Sequence, residues 1–440
     1  MKMLIQLLTL KIKYIILIYT VIQLVLIFFS DIQYKSDALF YFNLSQKCID
    51  QNEFYPAQHN LYDDYLVAPL YINVIFLILK IYNSTRAIGL FNLIVILLQI
   101  YVLYKITRQL FSDDVARFTI LLYVLYLNTP GLMLQNYTEL FFILLVSYSV
   151  YFFLLQKYFY LILSGILTGC AISVRPVGWA LLIAFLIIQF ISIYKNKKLS
   201  PIFFYVYFGI IVFIIGFGSL TKLNFGHFEF TSTTGPINLL LGANDDATGG
   251  FNSTVLEKGK AGYIEFTDSL TYLQKREFYQ EQAVNWISQN PGKWFLLAPL
   301  KLFHTFAWDD ISLSSLLGMN DVNFARVMKI ILLEFDFNKA LPNTAVLYKI
   351  AYLALLLLHH LFYYFLLFTI IIGIYRIFKD NLSTEKTNLI LIFIMIAVIM
   401  IMITVGSPRY KYPMFILLLP FAAYYIEKKF RSGHKIIENN

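Results

Sequence analysis

Ile88 to Lys105 reads IGLFNLIVILLQIYVLYK, eighteen residues with no charge until the last. As a helix this stretch would be about 27 Å long, close to the roughly 30 Å hydrocarbon core of a bilayer. It holds no proline, and Lys105 and Arg108 close it where headgroups would begin. The rest of the chain repeats the pattern, with apolar runs at roughly 14–30, 67–82, 116–134, 138–155, 160–175, 177–194, 201–221, 346–376, 387–405 and 409–426. Over all 440 residues the hydrophobic types reach 59% and the charged types only 14%, with a mean hydropathy of +0.67. A soluble domain carries about a quarter of its residues as charges, so lipid must be the solvent here. Disorder, collagen-like repeats and a disulfide scaffold are excluded by the same figures. The sequence predicts an all-α, polytopic membrane protein.

The net charge of +9 would suggest nucleic acid in a soluble chain; in a membrane chain its placement matters more, because Lys and Arg collect in cytoplasmic loops. The basic clusters are Lys105, Arg108 and Arg117; Lys157; Lys195, Lys197 and Lys198; Arg376, Lys379 and Lys386; and Lys428, Lys429, Arg431 and Lys435. The first run follows Lys2, Lys11 and Lys13 and lacks a small-residue cleavage site, so it reads as an uncleaved first helix. With all clusters and both termini inside, the runs pair off only if 67–82 does not cross. That run starts at Ala68-Pro69 between polar loops and reads as an interfacial or re-entrant helix on the outer side. About ten spans remain. Two long segments then lie outside: 31–87, rich in Asp and Glu, and about 222–345, which holds the Gly- and Asn-rich stretches and an amphipathic piece from Trp294 to Trp308. The expected organisation is an N-terminal transmembrane module (1–221) including the first outer loop, a large outer loop with interfacial helices (222–345), and C-terminal transmembrane helices with a short cytoplasmic tail (346–440).

Cys48 and Cys170 make no framework and no metal motif; no metal site is read, and a divalent metal is left open. No Walker-type glycine signature is present, which excludes ATP-driven chemistry of that kind. No internal repeat is evident, which argues against transporter folds built on repeats.

Charged and polar residues at the outer ends of the runs are the candidates for chemistry. Asp37 follows the first helix by about seven residues and would share a helical face with Tyr41. A carboxylate held among aromatics just outside the bilayer is expected to have a raised proton affinity, which suits a general base; a capping or solvated acid is the bland alternative. Asp63 and Asp64 are adjacent, so one helix face cannot present both. Arg86 opens the next run as an anchor or a phosphate ligand. Asn244, Asp245 and Asp246 stand in a Gly-rich stretch whose spacing fits no EF-hand, and a tight turn explains them as well. Arg409, Tyr410 and Lys411 lie between Pro408 and Pro413 at an outer mouth, where two cations could hold a lipid phosphate or anchor the chain at headgroup level. Arg175 breaks the positive-inside pattern in the same way, and Glu139 at a helix edge needs a partner. His304 follows Lys301 by three in the amphipathic piece, and the His359-His360 pair reads as hydrogen-bonded packing.

Taken in order, these features resemble the GT-C glycosyltransferases that use polyprenyl-phosphate sugars, in the protein O-mannosyltransferase, aminoarabinose transferase and RgtA-like branches. The resemblance rests on Asp37-x-x-x-Tyr41, the Pro-containing outer helix, Arg86, the inner Arg108-Gln109-Leu110-Phe111, Gly165-x-x-x-Gly169 leading to Arg175, and Arg409-Tyr410-Lys411-Tyr412-Pro413 before the last span. It implies an outer-face cavity in which Asp37 deprotonates an acceptor, the anomeric carbon inverts, and Arg409, with Arg175, Arg86 or Lys411, holds the leaving phosphate. Asp63-Asp64-Tyr65 stands where the family usually has a basic residue before the Pro-containing outer helix, a carboxylate pair that could instead recognise sugar hydroxyls. Asn244, Asp245, Asp246 and His304 of the large outer loop are read as acceptor or sugar contacts. Partners would be the lipid-linked donor, a glycan, lipid or protein acceptor, and membrane lipids, with no nucleic acid. Ala38 stands where many relatives carry a second carboxylate. The compact chain without lumenal insertions suggests a bacterial inner membrane. A lipid-linked glycan flippase or transporter would instead keep ionisable groups near the midplane. An O-antigen polymerase or ligase would gather its arginines in one loop.

Overall fold

The computed structural model describes residues 11–197, 201–316, 324–334, 339, 341 and 346–437. Lys2 and Lys198, parts of the second outer loop, and the side chains of Arg431 and Lys435 lie outside the described set. Among the described residues there is no strand, only an isolated bridge between Gly250 and Gly406.

The apolar bundle comprises α1 (Ile12–Phe29), α4 (Thr85–Leu110), α5 (Asp113–Leu125), α7 (Glu139–Leu155), α8 (Tyr158–Val174), α9 (Trp179–Asn196), α10 (Pro201–Phe225), α16 (Val346–Lys379), α17 (Glu385–Ile403) and α18 (Tyr412–Ile437). Six described helical segments are long and apolar enough to cross a membrane: Ile12–Phe29, Thr85–Leu110, Pro176–Lys195, Pro201–Phe225, Tyr348–Lys379 and Glu385–Ile403. Two 17-residue helices, α7 and α8, are as apolar but shorter. The peripheral α1 turns Leu17, Ile18, Val25 and Phe29 outward and buries only Tyr19, Gln23 and Ile27, as a lipid-facing helix does. At the centre, the first half of α18 buries Met414, Phe415, Ile416, Leu417, Leu419, Phe421, Ala422 and Ala423; a helical stretch apolar all round belongs inside. It packs on α5, α7 and α16.

The run 116–134 does not form one helix. It breaks after α5 at Tyr126 and resumes as α6 (Asn128–Met133). Pro130 has no N–H to give the Tyr126 carbonyl, and its ring would crowd that carbonyl.

The outer layer holds α2 (Ser36–Gln51), α3 (Pro69–Ile81), α11 (Gly235–Leu241), α12 (Tyr272–Gln289), α13 (Pro291–Phe306), α14 (Ile311–Leu316) and α15 (Phe324–Lys329). At 13 residues, α3 is about 20 Å long, short of the hydrocarbon core. The 16 residues of α13 bury Ala298, Lys301 and Thr305 and expose Phe295, Leu296, Leu300 and Phe303. That inverted amphipathicity suits a helix lying on the bilayer surface. Gly-rich backbone docks this layer: a Cβ on Gly242 would sit 1.7 Å from the Thr404 carbonyl oxygen, and one on Gly406 would sit 2.2 Å from that of Lys301.

Candidate active site

Four charged side chains from four separate segments meet in one line. Asp37 stands in the first turn of α2, after Ser36 at φ +50°. Glu139 opens α7, where a carboxylate also suits the positive end of the helix dipole. Arg175 follows the last residue of α8 in extended conformation, and Arg409 lies in the short 3-10 turn Pro408–Lys411. The Arg409 Nη2 donates to Asp37 Oδ2 at 2.7 Å and its Nε to Glu139 Oε1 at 3.0 Å. Arg175 Nη1 meets the same Glu139 oxygen at 2.7 Å and also donates to Thr138 Oγ1 at 3.1 Å. The Glu139 side chain is fully buried, whereas Asp37 keeps 49% of its side chain exposed. Glu139 thus ties the two guanidiniums together, and Asp37 presents the cluster to open space.

Aromatic rings complete the seat. The Arg409 guanidinium lies 4.1 Å over the Tyr137 ring and that of Arg175 5.3 Å from the Tyr410 ring, attractive contacts that cost little in hydration. Below Asp37, Asn136 Nδ2 donates to the Ala38 carbonyl at 3.3 Å and its Oδ1 accepts from Tyr71 Oη at 2.9 Å. This fixes the start of α2 against α3. Ala68, before α3, adopts φ +39°; both it and Ser36 line the cavity. Left-handed backbone at non-glycine residues costs about 1–3 kcal/mol each and collects at functional sites.

The site opens into a cavity of about 960 Å³. Asp37, Tyr41, Arg175, Arg409 and Tyr410 line it, with Tyr137, Ser232, Thr234, Asn238, His304, Trp308 and Asp310. One side is apolar and belongs to bundle helices, with Phe393, Ala397, Met400 and Ile401 of α17.

The other residues singled out from sequence lie elsewhere. Asp64 pairs at 2.9 Å with the buried Lys275 of α12, and Asp63 accepts from Asn60 at 2.8 Å. Burial pushes the Asp63 carboxyl up from its usual range. Asn244 is buried and donates to the Leu240 and Leu241 carbonyls at 2.8 and 3.2 Å. Asp245 accepts from Trp286 at 2.9 Å, and Asp246 pairs with Lys260 at 2.7 Å. That stretch makes the turn that docks the outer loop. Arg86 is exposed in the first turn of α4, outside the cavity lining. Lys411 faces away from the cavity into the core, 3.0 Å from Asp309. His359 is buried with Nε2 3.1 Å from Asp309 Oδ2. Among the described residues no three of His, Cys, Asp and Glu gather as metal ligands would.

Sequence reading missed Tyr137, Thr138, Trp308 and Asp310. The signal for the first two was the polar run Asn136-Tyr137-Thr138-Glu139 between apolar segments. For the others it was an acidic pair directly after an amphipathic helix.

Residues 66–219 match the family model described as dolichyl-phosphate-mannose-protein mannosyltransferase. The stretch contains Glu139 and Arg175 but not Asp37 or Arg409. The match covers less than half of the chain, whose long apolar helices are those of a multi-pass membrane protein. No curated protein matches it by sequence. Among solved structures, it is similar to the apo oligosaccharyltransferase of Archaeoglobus fulgidus, with 15% identity and a TM-score of 0.49 over 97% of this chain and 52% of that one. The same archaeal enzyme in complex with an inhibitory peptide and a dolichol-phosphate gives 14% identity and a TM-score of 0.48 over 97% and 51%. The chain spans about half the length of those proteins.

Proposed function

We propose that the protein transfers a sugar from a polyprenyl-phosphate donor to a hydroxyl or amine of a glycan, lipid or protein acceptor, at the outer face of a bacterial inner membrane, with both termini inside. The observation that carries this is the Asp37–Arg409–Glu139–Arg175 line at a cavity with one apolar, bundle-lined side.

In this reading Asp37 takes the proton from the acceptor. The acceptor atom bonds to the anomeric carbon from the face opposite the phosphate, the bond from that carbon to the phosphate oxygen breaks, and configuration inverts. The leaving oxygen keeps the electron pair. Charge balance supports the assignment: two guanidiniums and two carboxylates are neutral together. When Asp37 becomes protonated the cluster gains one positive charge, just as the leaving phosphate gains a negative one. Arg409 spends two of its five N–H donors on Asp37 and Glu139, which leaves part of the fork for a phosphate oxygen. Preorganised cations in a partly dry site are the usual largest contributor to such a step.

The test is sugar release from a synthetic polyprenyl-phosphate hexose by purified protein, with Asp37→Asn beside it. Release by wild type and its loss in the variant support the reading. Wild-type release by Asp37→Asn would remove Asp37 as base, and failure to bind any such lipid would favour a transporter.

A further inference from the structure

Behind the site wall lies a second polar cluster that the proposed chemistry does not use. Asp309 is 1% exposed, Lys411 0% and His359 1%, in the middle of an apolar core. Asp309 Oδ2 accepts from Tyr126 Oη at 2.6 Å and Oδ1 from Asn128 Nδ2 at 2.9 Å. Lys411 Nζ meets Asp309 Oδ1 at 3.0 Å and donates to the Pro408 carbonyl at 3.0 Å and to the Trp308 carbonyl. His359 Nε2 lies 2.8 Å from the Asp309 carbonyl oxygen. The cluster joins the break after α5, the turn after α13, α16 and the 408–411 turn.

The alternation of the two turns gives the cluster its meaning. Trp308 and Asp310 line the cavity while Asp309 between them points into the core; Arg409 and Tyr410 line it while Lys411 points into the core. The 408–411 turn is held at its other end by the Gly406 amide, which donates to the Gly249 carbonyl at 2.9 Å. Replacing a buried ion pair by apolar groups is often neutral for stability, so stability alone does not account for a charged pair here. A lysine with three oxygen acceptors from two turns defines a position. We propose that the Lys411–Asp309 pair, braced by Tyr126, is a strut that holds Arg409 in place against Asp37 and the leaving phosphate. Lys411 and Asp309 are positioning residues in this scheme. It rests on the reading of the site given above.

The experiment compares the double variant Lys411→Met/Asp309→Asn, the milder Tyr126→Phe, and Lys411→Arg with wild type and Arg409→Lys. Two readouts are taken: kcat and KM for hydrolysis of a synthetic polyprenyl-phosphate hexose, and amide hydrogen exchange over residues 404–411. An interaction made only in the transition state lowers kcat and leaves KM alone, whereas a purely structural role lowers the folded fraction without changing kcat per folded molecule. The double variant is expected to lose about 10- to 100-fold in kcat, with KM within about threefold and exchange in 404–411 at least about tenfold faster. Tyr126→Phe is expected to show a smaller loss of the same kind, and Lys411→Arg to recover part of it. A folded double variant with wild-type kcat and exchange overturns the strut. If the double variant does not fold, wild-type kcat and exchange in Tyr126→Phe overturn it. Should the wild type turn over no donor, or Arg409→Lys be unaffected, the reading of the site fails, and exchange over 404–411 still decides the strut.

Discussion

Glu139 is the residue on which the site's geometry turns. It is fully buried and shares one oxygen between Arg175 and Arg409. Removing its charge would leave two guanidiniums facing each other in a low-dielectric pocket, and breaking a buried pair typically costs about 3–5 kcal/mol. Glu139→Gln is therefore expected to lower the thermal unfolding midpoint in detergent markedly and to abolish donor turnover; an unchanged midpoint would show that the arginines are solvated there. Asp37 is the opposite case. Half-exposed and paired on one side only, it can lose its charge with little effect on folding. Asp37→Asn should leave the unfolding midpoint within a few degrees and cut turnover by about 10²–10⁴, the usual worth of a general base. The Asp37 and Arg409 pairing could be guessed from sequence as two members of a resemblance, but not as a 2.7 Å contact. Lys411 shows the limit: two positions from Arg409, it reads as a second phosphate ligand, yet its side chain turns to Asp309 because the 3-10 turn sends the two in different directions.

At the scale of elements, close backbone approach decides two contacts. A Cβ on Gly165 of α8 would lie 2.0 Å from the Val206 carbonyl oxygen of α10, and one on Gly209 of α10 would lie 2.1 Å from that of Ile162. This is the small-residue packing that membrane helices use in place of a hydrophobic drive. Gly165→Val should force α8 and α10 apart and cost at least the ~1–3 kcal/mol typical of overpacking, read as a lower unfolding midpoint; Gly292→Ala, with open space around it, is the control. The second contact is α13 against the 404–406 turn. Lys301 of α13 is buried, donates to the Ile403 carbonyl at 3.1 Å and lies 5.7 Å from the Trp294 ring centre. Burial brings its ammonium down to about 8, below the unfolded value near 10.4. Between those two pH values the unfolded chain binds the extra proton, so stability should rise with pH from about 8 to about 10. Lys301→Met should flatten that slope in thermal unfolding measured at pH 7.5 and pH 10. The sequence marks α13 as amphipathic, but its apolar face turns out to be the exposed one.

For the whole molecule, α17 separates the site from the opposite face. Its 19 residues run from the turn at Ser383 to the mouth at Thr404–Arg409, about 28 Å of helix. After replacing Cys48 and Cys170 by Ser, a cysteine at Lys258 should react with an impermeant maleimide in intact cells. One at Ser383 should react only after permeabilisation. The reverse pattern would place the cavity inside.

What the sequence determined by itself was the solvent and the class. An apolar share of 59% cannot be kept in water, helices are the form in which such runs satisfy their backbone in lipid, and a few spaced motifs resemble those of glycosyltransferases that use polyprenyl-phosphate sugars. The tertiary structure alone decided which charges meet. Asp37 and Arg409 are 372 positions apart, and the side-chain direction that brings one acid to the cavity and sends another into an outer-loop ion pair depends on turns set by packing. Local pattern fixes where an apolar helix exists. The partner of a buried charge is fixed by whichever distant segment can satisfy it, and periodicity along the chain carries no record of that choice.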